Sequence, residues 1–163
     1  AVAGEPWEDW ESVLEQRIRT LGIEDRVIIR FGWVPEPEVA FWLAAANLVV
    51  LPYRSGSQSA VAPLALAAGI PVLSTRVGGL PEIVRDGVNG VLVDPGSADS
   101  LARAFAELNT EKLADLAEGA RANRSRLTWD GYAAELEGLL GKVVAGNSEV
   151  GIQSSEFHPP TPP

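Results

Sequence analysis

Apolar residues fall along this chain in two rhythms, one of helical period and one of short unbroken runs. Trp10, Val13, Leu14, Ile18 and Leu21 recur near one helical face and predict a helix over residues 7–21, which Gly22 ends. Residues 27–31 form a short β-rich run closed by Gly32. Pro35-Glu36-Pro37 makes a turn, and Pro37 can open a helix that runs to about Ala46. Leu48-Val49-Val50-Leu51 is a continuous apolar run, as expected of a strand buried on both faces. A polar, Gly-containing loop over residues 52–57 leads into a small Ala-rich helix predicted over 59–68 and ended by Gly69. A strand follows over 71–75, then a tight Gly78-Gly79 loop and a one- or two-turn helix opened by Pro81-Glu82. The Asp86-Gly87 and Asn89-Gly90 turns precede a strand over 90–93. Ser97, Asp99 and Ser100 supply capping chemistry for a helix reaching about Leu108, and further helices are predicted over 110–123 and 128–144.

Short strands alternating with helices predict an α/β fold, a Rossmann-like parallel sheet with helices on both faces. Crossovers of such a sheet are right-handed, and ligands sit at the carboxyl ends of its strands. The corresponding crevice would gather Gly4-Glu5, Gly32-Trp33, residues 54–59 and residues 76–80. The opening Ala1-Val2-Ala3-Gly4-Glu5 reads as the end of a strand entering a loop, so the chain is expected to start inside a larger protein. One domain is expected over residues 1–145. From Gly146 periodicity is lost, and residues 146–163, with His158 among prolines, are expected to be a disordered tail or in part non-native.

Composition narrows the classes of partner. A chain of 163 residues with 46% hydrophobic and 21% charged positions can build one sizeable core. Its net charge of -9 argues against nucleic acid and against direct contact with an anionic membrane, since both need clustered cations. With no cysteine there is no disulfide, thiolate zinc site or cysteine nucleophile, which fits a reducing cytoplasm. No apolar run is long enough to span a bilayer. No cluster of metal ligands, His-based triad or G-x-G-x-x-G run stands out, so neither a metal nor a cofactor is expected.

Three loops carry candidate chemistry. Arg54-Ser55-Gly56-Ser57-Gln58-Ser59 follows a buried strand and precedes a helix, whose free N–H groups suit a phosphate or diphosphate. Ser55, Ser57 and Ser59 add hydroxyls, Gln58 an amide, and Arg54 a forked cation. The plainer reading is a solvated loop whose serines cap the helix. In Arg76-Val77-Gly78-Gly79-Leu80-Pro81-Glu82, the paired glycines allow close approach to a ligand or simply a sharp turn, and Glu82 suits a first helical turn. Trp33, after Gly32 at a strand end, either flanks a nucleobase or packs under the next helix. In either case the peptide groups of Trp33 and Val34 can read a base edge. Trp7, Trp10, Trp42 and Trp129 look like packing residues on helical faces.

The order and spacing of several motifs are similar to a known family. Phe31-Gly32-Trp33 matches loosely a strand end F-x-G. Ala44-Ala45-Ala46-Asn47 matches a small-residue patch, and residues 48–52 match a strand ending at proline. Ala67-Ala68-Gly69-Ile70-Pro71-Val72, Gly78-Gly79-Leu80-Pro81-Glu82, Gly87-Val88-Asn89-Gly90, Asp94-Pro95 and Thr128-Trp129 follow in register. Together they resemble the carboxyl-terminal domain of the family 4 retaining glycosyltransferases, which have the two-domain GT-B architecture. The resemblance extends to about Val144.

It implies transfer of a sugar, with retention, from a UDP- or GDP-linked donor bound on this domain to a glycan or lipid-linked acceptor. The acceptor would lie on an absent amino-terminal domain. Also absent would be a first strand and loop that usually hold an Arg and a Lys for the diphosphate, so the fragment alone is expected to be inactive. The missing domain would also provide any peripheral contact with the inner face of the membrane. Arg54, Ser57, Gln58 and Ser59 would bind diphosphate and sugar, Trp33 and Val34 would frame the base, and Gly78 and Gly79 would let the backbone approach the sugar. The family's two glutamates, with seven residues between them, fall here on Gly56 and Leu64. Losing a carboxylate-to-ribose bond removes roughly 1.5–3 kcal/mol of interaction, which other groups must replace. The rival readings are a nucleotide-sugar epimerase of the same architecture, with only Glu5 and Glu82 as cleft acids, and a non-catalytic nucleotide-sugar-binding module.

Overall fold

The structure, a computed structural model, describes residues 1–5, 10–124 and 129–146. The expectations for Trp7, for Thr128 and for the tail with His158 lie outside these residues. Strand β1 (Val2–Gly4) leads to helix α1 (Trp10–Leu21), and β2 (Ile29–Phe31) to α2 (Glu36–Ala45). Strand β3 (Val49–Leu51) precedes α3 (Val61–Ala67), and β4 (Val72–Thr75) precedes the single turn α4 (Leu80–Ile83). Strand β5 (Gly90–Val93) is followed by α5 (Ala98–Glu107), α6 (Thr110–Ala122) and α7 (Trp129–Gly146).

All strand pairs are parallel, as the alternation of elements predicts. The ladder divides in two, however: β1 pairs with β2, and β3-β4-β5 form a separate sheet. Side-chain packing reaches the larger sheet from α2. Its Leu43, with the capping Ala46, packs against the core formed by Leu51, Ala62, Ala65, Leu66, Val72, Leu80 and Val84. Strand β4 is buried throughout because it has a strand on each side and helices above and below. A second cluster, Leu73, Val93 and Ala104, lies under α5. Leu66 and Leu73 are among the most deeply buried side chains, and truncating either to alanine costs about 2–5 kcal/mol.

Local chemistry explains the element boundaries. Helix α3 ends in a Schellman motif: Ile70 N–H bonds to Ala65 O at 2.9 Å, and Gly69 N–H to Leu66 O at 3.0 Å. The motif requires a left-handed residue, and Gly69 has φ +80°. Helices α5 and α6 begin with true caps, Ser97 accepting from Ser100 N–H at 3.1 Å and Asn109 from Lys112 N–H at 2.8 Å, each worth about 1 kcal/mol. Buried Asn89 closes the turn before β5. Its Oδ1 accepts from Arg85 N–H at 2.7 Å and its Nδ2 donates to Ile83 O at 3.1 Å.

Side chains, in place of a neighbouring strand, close the outer edge of β5. Asp86 Oδ1 accepts from Leu92 N–H at 2.9 Å, Arg76 donates to Leu92 O at 3.2 Å, and Asp86 Oδ2 takes the same guanidinium at 2.9 Å. One packing expectation, for Trp10, needs correction. Trp10 is 58% exposed, and of its helical stripe only Ile18 is buried, so the periodicity marks an apolar stripe without a cover among the described residues. Trp42 is half-buried and owes its place partly to an indole N–H donated to Glu38 at 3.2 Å.

Candidate functional site

Strands β3 and β4 are neighbours and run in the same direction, so the loops after them leave the sheet at the same end. These are residues 52–60 and 76–79, two of the stretches singled out from sequence, and the structure brings them into direct contact. Gly79 N–H donates to Ser57 O at 2.7 Å. Gly78 has φ +50°, and a Cβ there would overlap the Gly56 and Ser57 carbonyls. A Cβ on Gly79 would lie 2.6 Å from Gln58 Nε2. The paired glycines therefore serve close approach of one loop to the other, a role absent from the sequence reading, which weighed only a ligand against a turn.

Tyr53 forms the floor of the first loop. Its carbonyl accepts the Thr75 hydroxyl at 2.6 Å, and its own hydroxyl lies 3.4 Å from Ser59 Oγ. Arg54, Ser55, Gly56, Ser57 and Gln58 are exposed around it, and Ser59 is half-buried. Among the described residues Arg54 makes no ion pair, so its guanidinium is available to an anion. The predicted helix start is two residues early. Helix α3 begins at Val61 behind Ala60, which has no side-chain cap, while Ser59 Oγ is shared between Tyr53 and a long 3.4 Å bond from Ala62 N–H. Neither Ser55 nor Ser57 has a described hydrogen bond through its hydroxyl. Glu82 is exposed in α4, and Leu64 is 52% exposed on α3.

Trp33 is 77% exposed, which overturns the reading that packs it under α2; Val34 is half-buried. The Trp33 carbonyl takes Arg30 Nη2 at 3.4 Å. Arg30 also donates to the Phe31 carbonyl and pairs with Glu38 at 3.1 Å, the acid that receives the Trp42 indole. With that carbonyl engaged, the exposed indole face and the N–H of Trp33 and the peptide of Val34 remain open on this loop. No described hydrogen bond links Trp33 or Val34 to either of the other loops.

The arrangement is an open shelf. A hollow of about 250 Å3 lies between β1 and α1, lined by Val2, Gly4, Glu5, Trp10, Leu14 and Phe31 among others. Another, of about 360 Å3, lies along β5 beside Arg76, Asp86, Arg103 and Lys112. Neither takes a residue from 54–59 or from 77–82. Among the described residues no helix is long and apolar enough to cross a membrane.

A search of solved structures returns the same fold in Anabaena HepE, solved in complex with UDP, with TM-score 0.69 and 26% identity over 88% of this chain and 40% of that one. Sucrose-phosphate synthase from Thermosynechococcus elongatus matches with TM-score 0.70 and 26% identity, covering 89% of this chain and 38% of its own. The fold is that of GT-B glycosyltransferases, in agreement with the parallel α/β architecture expected from the sequence. Residues 1–111 match the sequence family described as glycosyl transferases group 1, and the chain belongs to that family. Among curated proteins it is 40% identical over 127 residues to a D-inositol 3-phosphate glycosyltransferase of Thermobispora bispora, covering 77% of this chain and 29% of that protein. A protein of the same description from Salinispora arenicola is 41% identical over 115 residues, with 69% and 25% covered. The chain thus spans under a third of the length of these relatives.

Sequence reasoning missed Tyr53, Thr75, Arg30 and Glu38. Tyr53 follows the proline that ends β3, which is a legible signal of a loop floor. The partners of Thr75 and Arg30 are set by tertiary contact.

Proposed function

We propose that this chain is the donor-binding part of a retaining glycosyltransferase that takes a sugar from a UDP- or GDP-linked donor and passes it to a glycan or lipid-linked acceptor held by a facing amino-terminal domain. The observation that carries the reading is the packing of Gly78 and Gly79 against Ser57 and Gln58, which leaves Arg54, Ser55, Ser57 and Gln58 exposed together at the carboxyl ends of β3 and β4. In this reading Arg54 neutralises the leaving diphosphate, and the serine hydroxyls and loop N–H groups stabilise its developing charge without a metal. Gln58, seated over Gly79, faces the donor sugar and does part of the work of the carboxylate that is Gly56 here. Trp33 and Val34 frame the base. The facing domain turns the open shelf into a cleft that excludes water.

The nucleotide is favoured as UDP because HepE is solved with UDP and with UDP-glucose. A second reading of the acceptor is a small phosphorylated polyol, favoured by the D-inositol 3-phosphate glycosyltransferases. Their likeness lies in the donor half, so it speaks less to the acceptor than to the donor. The epimerase and binding-module readings lose ground to the transferase relatives. The proposed place of work is the cytoplasm, with peripheral membrane contact made by the facing domain.

Titration with UDP followed by amide NMR tests the donor site. Shifts concentrated at residues 54–59 and 78–79 are expected; unmoved amides there at millimolar UDP would refute the assignment.

A further inference from the structure

The two loops of the shelf are tied together at one buried residue. Thr75 is the last residue of β4 and 1% exposed. Its carbonyl accepts Val77 N–H at 2.9 Å, which starts the turn into Gly78-Gly79, and also the Ser74 hydroxyl at 3.1 Å. Its hydroxyl donates at 2.6 Å to the carbonyl of Tyr53, a residue 22 positions away on the other loop. The ladder between β3 and β4 ends at Leu51 opposite Ser74, so the Tyr53 carbonyl has no rung of its own. A side-chain hydroxyl replaces the peptide N–H that a longer ladder would supply. The sheet stops there, and the chain is free to diverge into the loop. Tyr53 then carries the constraint forward, because its hydroxyl meets Ser59 and its ring lies beside Gly56.

We propose that Thr75 is a positioning residue for the donor shelf, one that sets the spacing between the 54–59 and 76–79 loops through its bond to Tyr53. The proposal rests on the donor-site reading above and deepens it. Thr75 touches no donor. Its hydroxyl acts by placing the Ser57 carbonyl under Gly79 and Gln58 over it. A residue needed only to fill the core would serve as well without the hydroxyl; valine has nearly the same shape and lacks the donor.

The test compares Thr75→Val with Thr75→Ser in this chain, by amide exchange without ligand and by titration with UDP and with inorganic pyrophosphate. The Arg85 amide, held by Asn89 at 2.7 Å, reports an intact fold. In Thr75→Val, Gly79 N–H is expected to exchange about tenfold faster, the amides of residues 55–59 to shift, and both ligands to bind about tenfold more weakly. Thr75→Ser restores all three. If valine prevents folding, Thr75→Cys, a weaker donor, takes its place in the comparison with serine. A folded valine variant with parental exchange at Gly79 overturns the proposal, and so does a serine variant that behaves like valine. Should UDP leave the parent's 54–59 amides unmoved, the donor reading falls, and the ligand-free exchange comparison still decides the role of Thr75.

Discussion

Alanine at Gly79 and alanine at Gly78 are expected to have opposite consequences although the positions are adjacent. At Gly79 the backbone is ordinary, φ −81° and ψ 2°, so an L residue is not strained there. The three atoms nearest its added Cβ all belong to the end of one side chain, Gln58 Nε2 at 2.6 Å, Oε1 at 2.7 Å and Cδ at 2.9 Å. To regain normal contact the exposed amide must swing away by about 1 Å, which a free rotor does at little cost. Replacing glycine also lowers the entropy of the unfolded chain, a gain of about 0.4–1 kcal/mol. Gly79→Ala should therefore leave stability within about 1 kcal/mol of the parent while moving Gln58 off the shelf. At Gly78 the conformation is left-handed, φ +50°, and the obstacles are the Gly56 and Ser57 carbonyls, which are backbone. Strain and overlap together should cost about 3 kcal/mol or more. Urea unfolding gives the stability of each variant, and titration with a UDP-sugar gives donor affinity. Gly79→Ala should lose about tenfold or more in affinity for the sugar-bearing donor, with UDP itself less affected. A Gly78→Ala variant as stable as the parent, or a Gly79→Ala variant that loses several kcal/mol, would refute this account of how the loops meet.

Arg54→Ala should weaken UDP about ten- to a hundredfold and uridine hardly at all, measured by titration calorimetry; equal losses would remove Arg54 from the phosphate role. Asn89→Ala should cost about 2–4 kcal/mol in urea unfolding, because it strands a backbone donor and acceptor that the 2% exposed side chain now satisfies. Arg30→Ala should free the Trp33 loop and weaken uridine in the same proportion as UDP, with inorganic pyrophosphate unchanged; a selective loss of pyrophosphate would contradict the placing of the base at Trp33.

Unbroken apolar character made the strands of the larger sheet easy to locate. Pro71 to Thr75 is β4, buried at every position between two strands, whereas Leu48 to Leu51, read as buried on both faces, is β3 at the border of its sheet, with Val49 and Val50 only half-buried. Capping was legible at Ser97 and only in part at Ser59, whose hydroxyl is shared between Tyr53 and a long bond from Ala62 N–H while α3 starts at Val61. Helical periodicity located the stripe of α1 and said nothing of what covers it, so Trp10 was expected inside and stands out. The loops of the shelf were both visible as loops. Their contact was not, since it depends on a hydrogen bond between residues 22 apart and on glycines whose neighbours lie in another segment.

The side chains that finish the outer border of β5 have a bearing on life in a crowded solution. A bare strand border is a template on which another chain can lay its own backbone, and self-recruitment of that kind starts many aggregates. Here Asp86 and Arg76 occupy the outward N–H and C=O of Leu92, so a second molecule arriving there finds no unmet partner. The two ions are each about half open to solvent, so their mutual attraction weakens as salt rises, while the carboxylate bond to the Leu92 amide persists. Asp86 thus leaves no open rung at the Leu92 amide, a service that an apolar residue of the same size would leave undone.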